Sequence, residues 1–274
     1  MNLLEKIKES ADYIRSHSSH EPVLGMILGS GLGELANRVE EAKVFDYQDI
    51  PHFPVSTVAG HPGRLVIGKL KGKTVVAMQG RFHYYEGYTM QEVTFPVRVM
   101  KALGVQAMIV TNACGGINPD LYPGALMFIK DHINFTGNNP LIGQNFEELG
   151  PRFPDMSAAY DKEYIRLGQE VAKEQGTETF LGIYTSMTGP YYCPPAELAM
   201  VRSFGSDTIG MSTVPEVIVA VHMGIRCLGI SCVTDMAIPE SVEPLSHEQV
   251  VKVAAKARPK FMELVSGIVE KMEI

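Results

Sequence analysis

Val23-Leu24-Gly25-Met26-Ile27-Leu28-Gly29-Ser30-Gly31-Leu32-Gly33 sets a short apolar run directly against a glycine-rich turn. An apolar run of about 4–8 residues bounded by turn signals is a buried strand, and glycines straight after it expose backbone N–H groups. The same unit recurs along the chain. Strand candidates lie at 23–28, 65–70, 74–78, 107–110, 126–129, 180–187 and 225–233. Helical periodicity runs through 2–17, 90–103, 161–175, 195–204, 214–223 and 247–272, the last opened by Ser246 with Gln249 three positions on. Strands interleaved with helices predict an α/β fold with a mixed, largely parallel central sheet flanked by helices. No linker, repeat, charge block or low-complexity stretch divides the sequence, so residues 1–274 read as a single domain.

Composition narrows the partners. The 274 residues are 45% hydrophobic and 20% charged, ordinary for a globular chain, so disorder is not the default. A net charge of −7 repels a polyanion, which argues against a nucleic-acid partner, although local groups can still gather a small anion. Cys114, Cys193, Cys227 and Cys232 form no Cys-x-x-Cys pair and no zinc spacing. They read as reduced thiols of a cytoplasmic protein, with no metal expected. Residues 1–15 alternate apolar and charged side chains as an amphipathic helix does and a signal peptide does not. No apolar run of about 18 residues is present, so no membrane span is expected.

Glycine- or proline-rich segments at 29–33, 59–63, 80–87, 112–116, 137–143 and 189–195 mostly follow strand candidates. Open α/β sheets place their ligand crevices there, so these six loops are expected to build one site. The 29–33 loop is neither a dinucleotide fingerprint nor a Walker loop, because its third glycine comes one residue early and Lys-Ser/Thr is missing. Its amides and the Ser30 hydroxyl can still cradle an anion. Gly80-Arg81-Phe82-His83-Tyr84-Tyr85-Glu86-Gly87 gathers a permanent cation, an imidazole, phenols and a carboxylate behind a strand. Arg81 offers a donor fork suited to phosphate, and His83 faces the same way if the backbone is extended. The competing reading is a surface Arg81–Glu86 pair with packed aromatics. In Met211-Ser212-Thr213-Val214-Pro215-Glu216, Ser212 is a candidate helix cap and equally a candidate phosphate ligand, since both roles use the same free amides.

Taken together, these segments resemble the trimeric purine nucleoside phosphorylase family, which also holds the methylthioadenosine phosphorylases. The resemblance rests on Gly60-His61-Pro62-Gly63-Arg64, Gln79 to His83, Thr111-Asn112-Ala113, Arg152-Phe153-Pro154 and Gly210 to Val217, and covers almost the whole chain. It implies phosphate held by Ser30, His61, Arg81, His83, the Ala113 backbone and Ser212. It implies ribose bordered by Tyr85 and Met211, with His247 at the 5′-hydroxyl. Phe153 would cover the sugar in a neighbouring subunit's site, which implies a homotrimer. Phosphate is a co-substrate in such enzymes, and no further cofactor is expected. Because phosphate is itself the nucleophile, the protein supplies positioning and preorganised charge, and a site of Arg, His, Ser and amides suits that task.

Two positions depart from the inosine/guanosine pattern. In Gly189-Pro190-Tyr191-Tyr192-Cys193-Pro194-Pro195-Ala196-Glu197, Cys193 stands where the family has a Glu that grips N1–H of the base. Thr234-Asp235 replaces the Thr-Asn of the oxopurine enzymes. An ionised Asp only accepts hydrogen bonds, so Asp235 would suit a six-amino group and repel a six-oxo group. With a raised pKa it would instead deliver a proton to N7. Tyr192, Cys193, Thr234 and Asp235 are the candidate base contacts, and His83, Asp235 and His247 the candidate catalytic groups. The departures resemble the methylthioadenosine branch, but His247 and Ser212 fit the nucleoside phosphorylases better. The expected preference is therefore for six-aminopurine nucleosides, with inosine and guanosine activity retained; Cys193 reads equally well as a small apolar filler. Two rival classes are a nucleoside hydrolase, whose Asp-rich calcium cluster is not visible here, and a non-catalytic nucleoside-binding module.

Overall fold

Each of the six helical patterns forms a helix, and local chemistry sets the ends. The computed structural model describes residues 1–57, 62–241 and 243–274. Helix α1 (Leu3–His17) starts on Asn2, whose side chain accepts the Glu5 N–H while Glu5 accepts the Asn2 N–H. Helix α2 (Met90–Leu103) starts with the same reciprocal pair, Thr89 and Glu92, and stops at Gly104, whose φ of 115° only glycine adopts readily. Asp161 caps α3 (Lys162–Glu174). After α4 (Pro195–Ser203) and α5 (Val214–His222), the long α6 (His247–Lys271) opens on the expected Ser246–Gln249 pair.

The strands are β1 (Leu24–Leu28), β2 (Glu40–Asp46), β3 (Arg64–Leu70), β4 (Lys73–Gln79), β5 (Ala107–Gly116), β6 (Leu126–Asn134), β7 (Thr179–Ser186), β8 (Thr208–Gly210) and β9 (Arg226–Met236). They form one sheet in the order β2-β3-β4-β1-β5-β8-β7-β6-β9. A further β5–β9 pairing closes the last five strands into a ring. The sheet is mixed as expected: β1–β4, β1–β5, β5–β9, β6–β7 and β7–β8 are parallel, and the other pairings antiparallel. Every residue of β1 is buried, which is why that strand reads as an uninterrupted apolar run. Helices α1, α2 and α5 pack as one group, while α3 and α6 pack on each other. No helix among the described residues is long and apolar enough to cross a membrane.

Two strands were not expected. Strand β2 is an edge strand with only Phe45 buried, so it lacks an apolar pattern, and β8 has three residues, too few to show a period. Strands β5, β6 and β9 also run further than their apolar cores. The 112–116 segment, expected as a loop, is the polar end of β5, hydrogen-bonded to β8 and β9. These extended ends carry the strands into the cleft.

Candidate active site

A cleft of about 1190 Å³ opens where the ends of β1, β4, β5 and β9 meet the starts of α5 and α6. It brings together the loop after β1 (Ser30), the loop after β4 (Arg81, His83, Tyr85) and the end of β5 (Ala113). The 187–193 segment contributes Tyr192 and Cys193; Met211 and Ser212 precede α5, Thr234 and Asp235 end β9, and His247 begins α6. The glycines of the first loop are required by close approach. A Cβ on Gly29 would lie 2.8 Å from the Asn112 Cα and the Thr111 carbonyl oxygen, so only hydrogen lets this loop cross β5. Gly31 has a φ of +75°, and its Cβ would come within 2.6 Å of Ala254 on α6. Arg258 Nε donates to the Gly31 carbonyl at 2.8 Å and pairs with Glu34, tying the loop to α6.

The anion end is built on Arg81, whose side chain is 2% exposed. Its Nη1 donates to Ser212 Oγ at 2.6 Å and to Thr213 Oγ1 at 3.2 Å, and its Nε lies 3.4 Å from Glu216 Oε1. His83 is extended, with φ −120° and ψ 150°, as the two-residue spacing required. Its backbone N–H donates to Glu86 Oε1 at 2.7 Å, and its Nδ1 lies 3.1 Å from the same oxygen. Glu86 Oε2 accepts the Thr57 N–H at 2.8 Å and the Thr57 hydroxyl at 2.6 Å. Burial works against a charged Glu86, yet the bonds from His83 and Thr57 outweigh it and bring the carboxyl down to about 2. Burial lowers the His83 pKa against the pull of Glu86, which keeps the ring neutral near pH 7. With Nδ1 donating to Glu86, Nε2 carries the lone pair. The ring stacks on Tyr85 at 4.7 Å and 13°.

Burial pushes the Tyr85 phenol up to about 12, so it is un-ionised. Gly189, with φ +65°, packs on both Tyr85 and Met211: a Cβ there would sit 2.4 Å from Met211 Sδ and 3.2 Å from Tyr85. At the end of β9, Asp235 Oδ1 accepts the Thr234 hydroxyl at 2.9 Å. That hydroxyl has a second acceptor in the Cys114 carbonyl at 3.2 Å, and its single proton serves one of the two at a time. Burial raises the Asp235 pKa above its ordinary 3.8, opposed by Thr234. Tyr192, half exposed, lies close enough for Asp235 to raise its pKa after burial has done most of the work. Cys193 packs against the small apolar cluster of Ile117, Leu198, Val201, Ile209 and Ala237, and burial pushes its thiol up to about 12. A neutral thiol in that setting cannot stand in for a carboxylate.

The family model described as the phosphorylase superfamily matches residues 23–270. The chain belongs to that superfamily. Within it the purine nucleoside phosphorylases are close relatives. Purine nucleoside phosphorylase 1 of Bacillus subtilis is 54% identical over 98% of this chain and 99% of its own length. The purine nucleoside phosphorylase of Bos taurus is 45% identical over 98% of this chain and 96% of its own. A crystal structure of the Schistosoma mansoni purine nucleoside phosphorylase in complex with adenosine superposes with a TM-score of 0.94. It is 42% identical and covers 98% of each chain. The chain is a member of the purine nucleoside phosphorylase family, as its motifs implied.

For this member of the phosphorylase superfamily, the cleft gathers every candidate residue among those described except Phe153. That ring is 88% exposed and lies outside the cleft of its own chain. His61 falls outside the described residues. Three expectations are corrected. Ser212 does not cap α5: Thr213 holds the cap position, and the Ser212 hydroxyl bonds Arg81 instead. Glu86 does not hold Arg81. It holds His83, and the partner of Arg81 is Glu216, a buried pair and not a surface one. The 137–143 loop does not line the cleft; Asn138 instead bonds the Tyr84 hydroxyl from outside, at 3.2 Å. Asn112, Thr213 and Glu216 were not singled out. Their sole signal was membership of the quoted motifs, because a buried partner shows no periodicity.

Proposed function

We propose that this cleft cleaves purine ribo- and 2′-deoxyribonucleosides reversibly with inorganic phosphate, giving the free base and (deoxy)ribose 1-phosphate. The observation that carries this reading is the buried Arg81 bonded to Ser212 in a cleft that His83 and Asp235 also line. In this reading Ser30, His61, Arg81, His83, the Ala113 backbone and Ser212 hold phosphate beneath C1′. As the C1′–N9 bond lengthens, the sugar gains cationic character, which the phosphate stabilises, and the purine gains negative charge. Tyr85 and Met211 border the sugar, and His247, at the first position of α6, faces the 5′-hydroxyl. Tyr192 covers the base, and Asp235, whose pKa burial raises, gives its proton to N7. Phosphate is the second substrate, and this chemistry calls for no other cofactor. Methylthioadenosine is the second substrate class to test, because Asp235 suits a six-amino base, while His247 favours a 5′-hydroxyl.

The base preference follows from Asp235 and Cys193. With its proton on the oxygen that serves N7, the Asp235 carboxyl still presents its other oxygen as an acceptor, which suits a six-amino group and faces a six-oxo group lone pair to lone pair, and Cys193 leaves N1 ungripped. Adenosine is therefore the favoured nucleoside, with inosine and guanosine as slower substrates. The exposed Phe153 and Ile142, on segments that Arg152 ties together through the Leu141 and Gly143 carbonyls, fit a homotrimer in which Phe153 closes the sugar pocket of an adjacent subunit. Four free cysteines, three of them buried, suit a reducing, cytoplasmic setting. The test is kcat/KM for adenosine, inosine, guanosine and methylthioadenosine, each with and without phosphate. Turnover that needs phosphate and is fastest with adenosine supports the reading. Phosphate-independent turnover would replace it with hydrolysis, and inosine winning a hundredfold would reject the base preference.

A further inference from the structure

Among the described residues of the site, Thr213 is the one non-glycine residue with a positive φ. Its φ of 74° and ψ of −54° belong to the rarer, strained γ-turn, which a β-branched residue avoids. The Val214 N–H closes that turn on the Ser212 carbonyl at 2.8 Å. The Thr213 side chain is fully buried, and its hydroxyl accepts from two fixed donors, Arg81 Nη1 at 3.2 Å and Asn112 Nδ2 at 3.0 Å. Asn112 is itself 1% exposed. A hydroxyl has two lone pairs and one proton. With both lone pairs of Thr213 taken, its proton goes to the neighbouring Ser212 Oγ at 3.3 Å. Ser212 Oγ then accepts from Thr213 and, at 2.6 Å, from Arg81. Its own proton is left to point elsewhere. Beside it, the Tyr184 hydroxyl accepts the Ser212 N–H at 3.3 Å and also interacts with the Ser212 side chain. The Ser212 proton therefore has two directions, that phenol and the cleft, and a phosphate oxyanion in the cleft is the stronger acceptor.

We infer that Thr213, oriented by Asn112, is a positioning residue that turns Ser212 into a committed donor toward phosphate. An oxyanion gains from a donor already aimed at it and loses from a hydroxyl free to present a lone pair. The strained turn is what brings the Thr213 hydroxyl between Asn112 and Arg81. This inference rests on the phosphate reading of Ser212.

The experiment measures KM for phosphate, KM for nucleoside and kcat in Thr213→Gly, Thr213→Val, Thr213→Ser, Ser212→Ala and Ser212→Ala/Thr213→Gly, with a thermal melt of each. Glycine relaxes the backbone strain and valine keeps it, yet both delete the hydroxyl. Loss of one charge-assisted hydrogen bond predicts that each raises the phosphate KM by about tenfold or more, with the nucleoside KM within about twofold of wild type. Thr213→Ser recovers most of that loss. Because Thr213 acts through Ser212, adding Thr213→Gly to Ser212→Ala costs less than about twofold more. An unchanged phosphate KM in Thr213→Gly, or penalties that simply multiply in the double variant, overturns the relay while leaving Ser212 as a ligand. An unchanged phosphate KM in Ser212→Ala overturns the phosphate reading itself. Should valine prevent folding, glycine still decides, since it tolerates a φ of 74°.

Discussion

Replacing Asp235 with asparagine changes one atom in the wall of the base pocket and should reverse the substrate preference. Thr234 donates to Asp235 Oδ1 at 2.9 Å, and the same bond is available to an asparagine carbonyl oxygen. The amide NH₂ of the substituted side chain is thereby turned to the position now held by Oδ2. Oδ2 lies 3.1 Å from where a Gly115 Cβ would stand, so the new group is confined against the backbone of β5. Against inosine the carboxylate leaves a lone-pair clash that the amide converts to a donated hydrogen bond. Against adenosine the amide creates the opposite mismatch. An unmatched buried polar pair costs about 1–3 kcal/mol, so each change is worth about tenfold and the two together about a hundredfold in the adenosine-to-inosine ratio of kcat/KM. The assay follows base release by absorbance at saturating phosphate for both nucleosides. A ratio that stays within about threefold of wild type, in a variant with an unchanged melting temperature, would refute the role of Asp235 in reading the base.

Three further outcomes follow from the same geometry. Gly189→Ala drives a Cβ into Met211 and toward Tyr85, so the nucleoside KM should rise about tenfold while the phosphate KM holds, a split read from paired saturation curves. Gly29→Ala meets backbone 2.8 Å away, and an overpacking cost of about 1–3 kcal/mol should lower the melting temperature by about 3–10 °C in calorimetry. Burial raises the Asp235 pKa, so the folded protein holds this proton to higher pH than the 3.8 of a solvated carboxyl. Ionising it costs stability as pH rises above that value, and the acid form needed at N7 is lost over the same window. The kcat for adenosine should fall with rising pH through the shifted pKa, and Asp235→Asn should lack that limb of the profile.

The fold was legible wherever burial wrote a period into the sequence. All six helices and the seven strands with apolar cores could be read, because α6 has a capping pair and β1 is buried on both faces. Strand β2 left no trace, since an edge strand with a single buried residue has no alternation to read. The closure of β5, β8, β7, β6 and β9 into a ring is a tertiary pairing that no local pattern encodes. In the site, Arg81 and His83 were legible because charged groups beside an apolar strand are chemically unusual, while Asp235 stood out only against the family's Thr-Asn pattern. Their partners were not legible. Glu216 and Thr213 stood in the quoted 211–216 motif with no role of their own, because the contacts Arg81 and Asn112 make to them join segments distant in sequence. Assigning Glu86 to Arg81 failed for the same reason. Nearness in sequence suggested the pair, while the extended backbone at His83 places Glu86 on the imidazole.

The central claim is that phosphate, pinned near Arg81, His83 and Ser212, is the group that takes the sugar. Phosphorus NMR of the purified protein with adenosine and inorganic phosphate tests it directly. A ribose 1-phosphate resonance should grow in step with free adenine, with no adenine formed when phosphate is left out. Adenine accompanied by free ribose, with the inorganic phosphate signal unchanged, would contradict it.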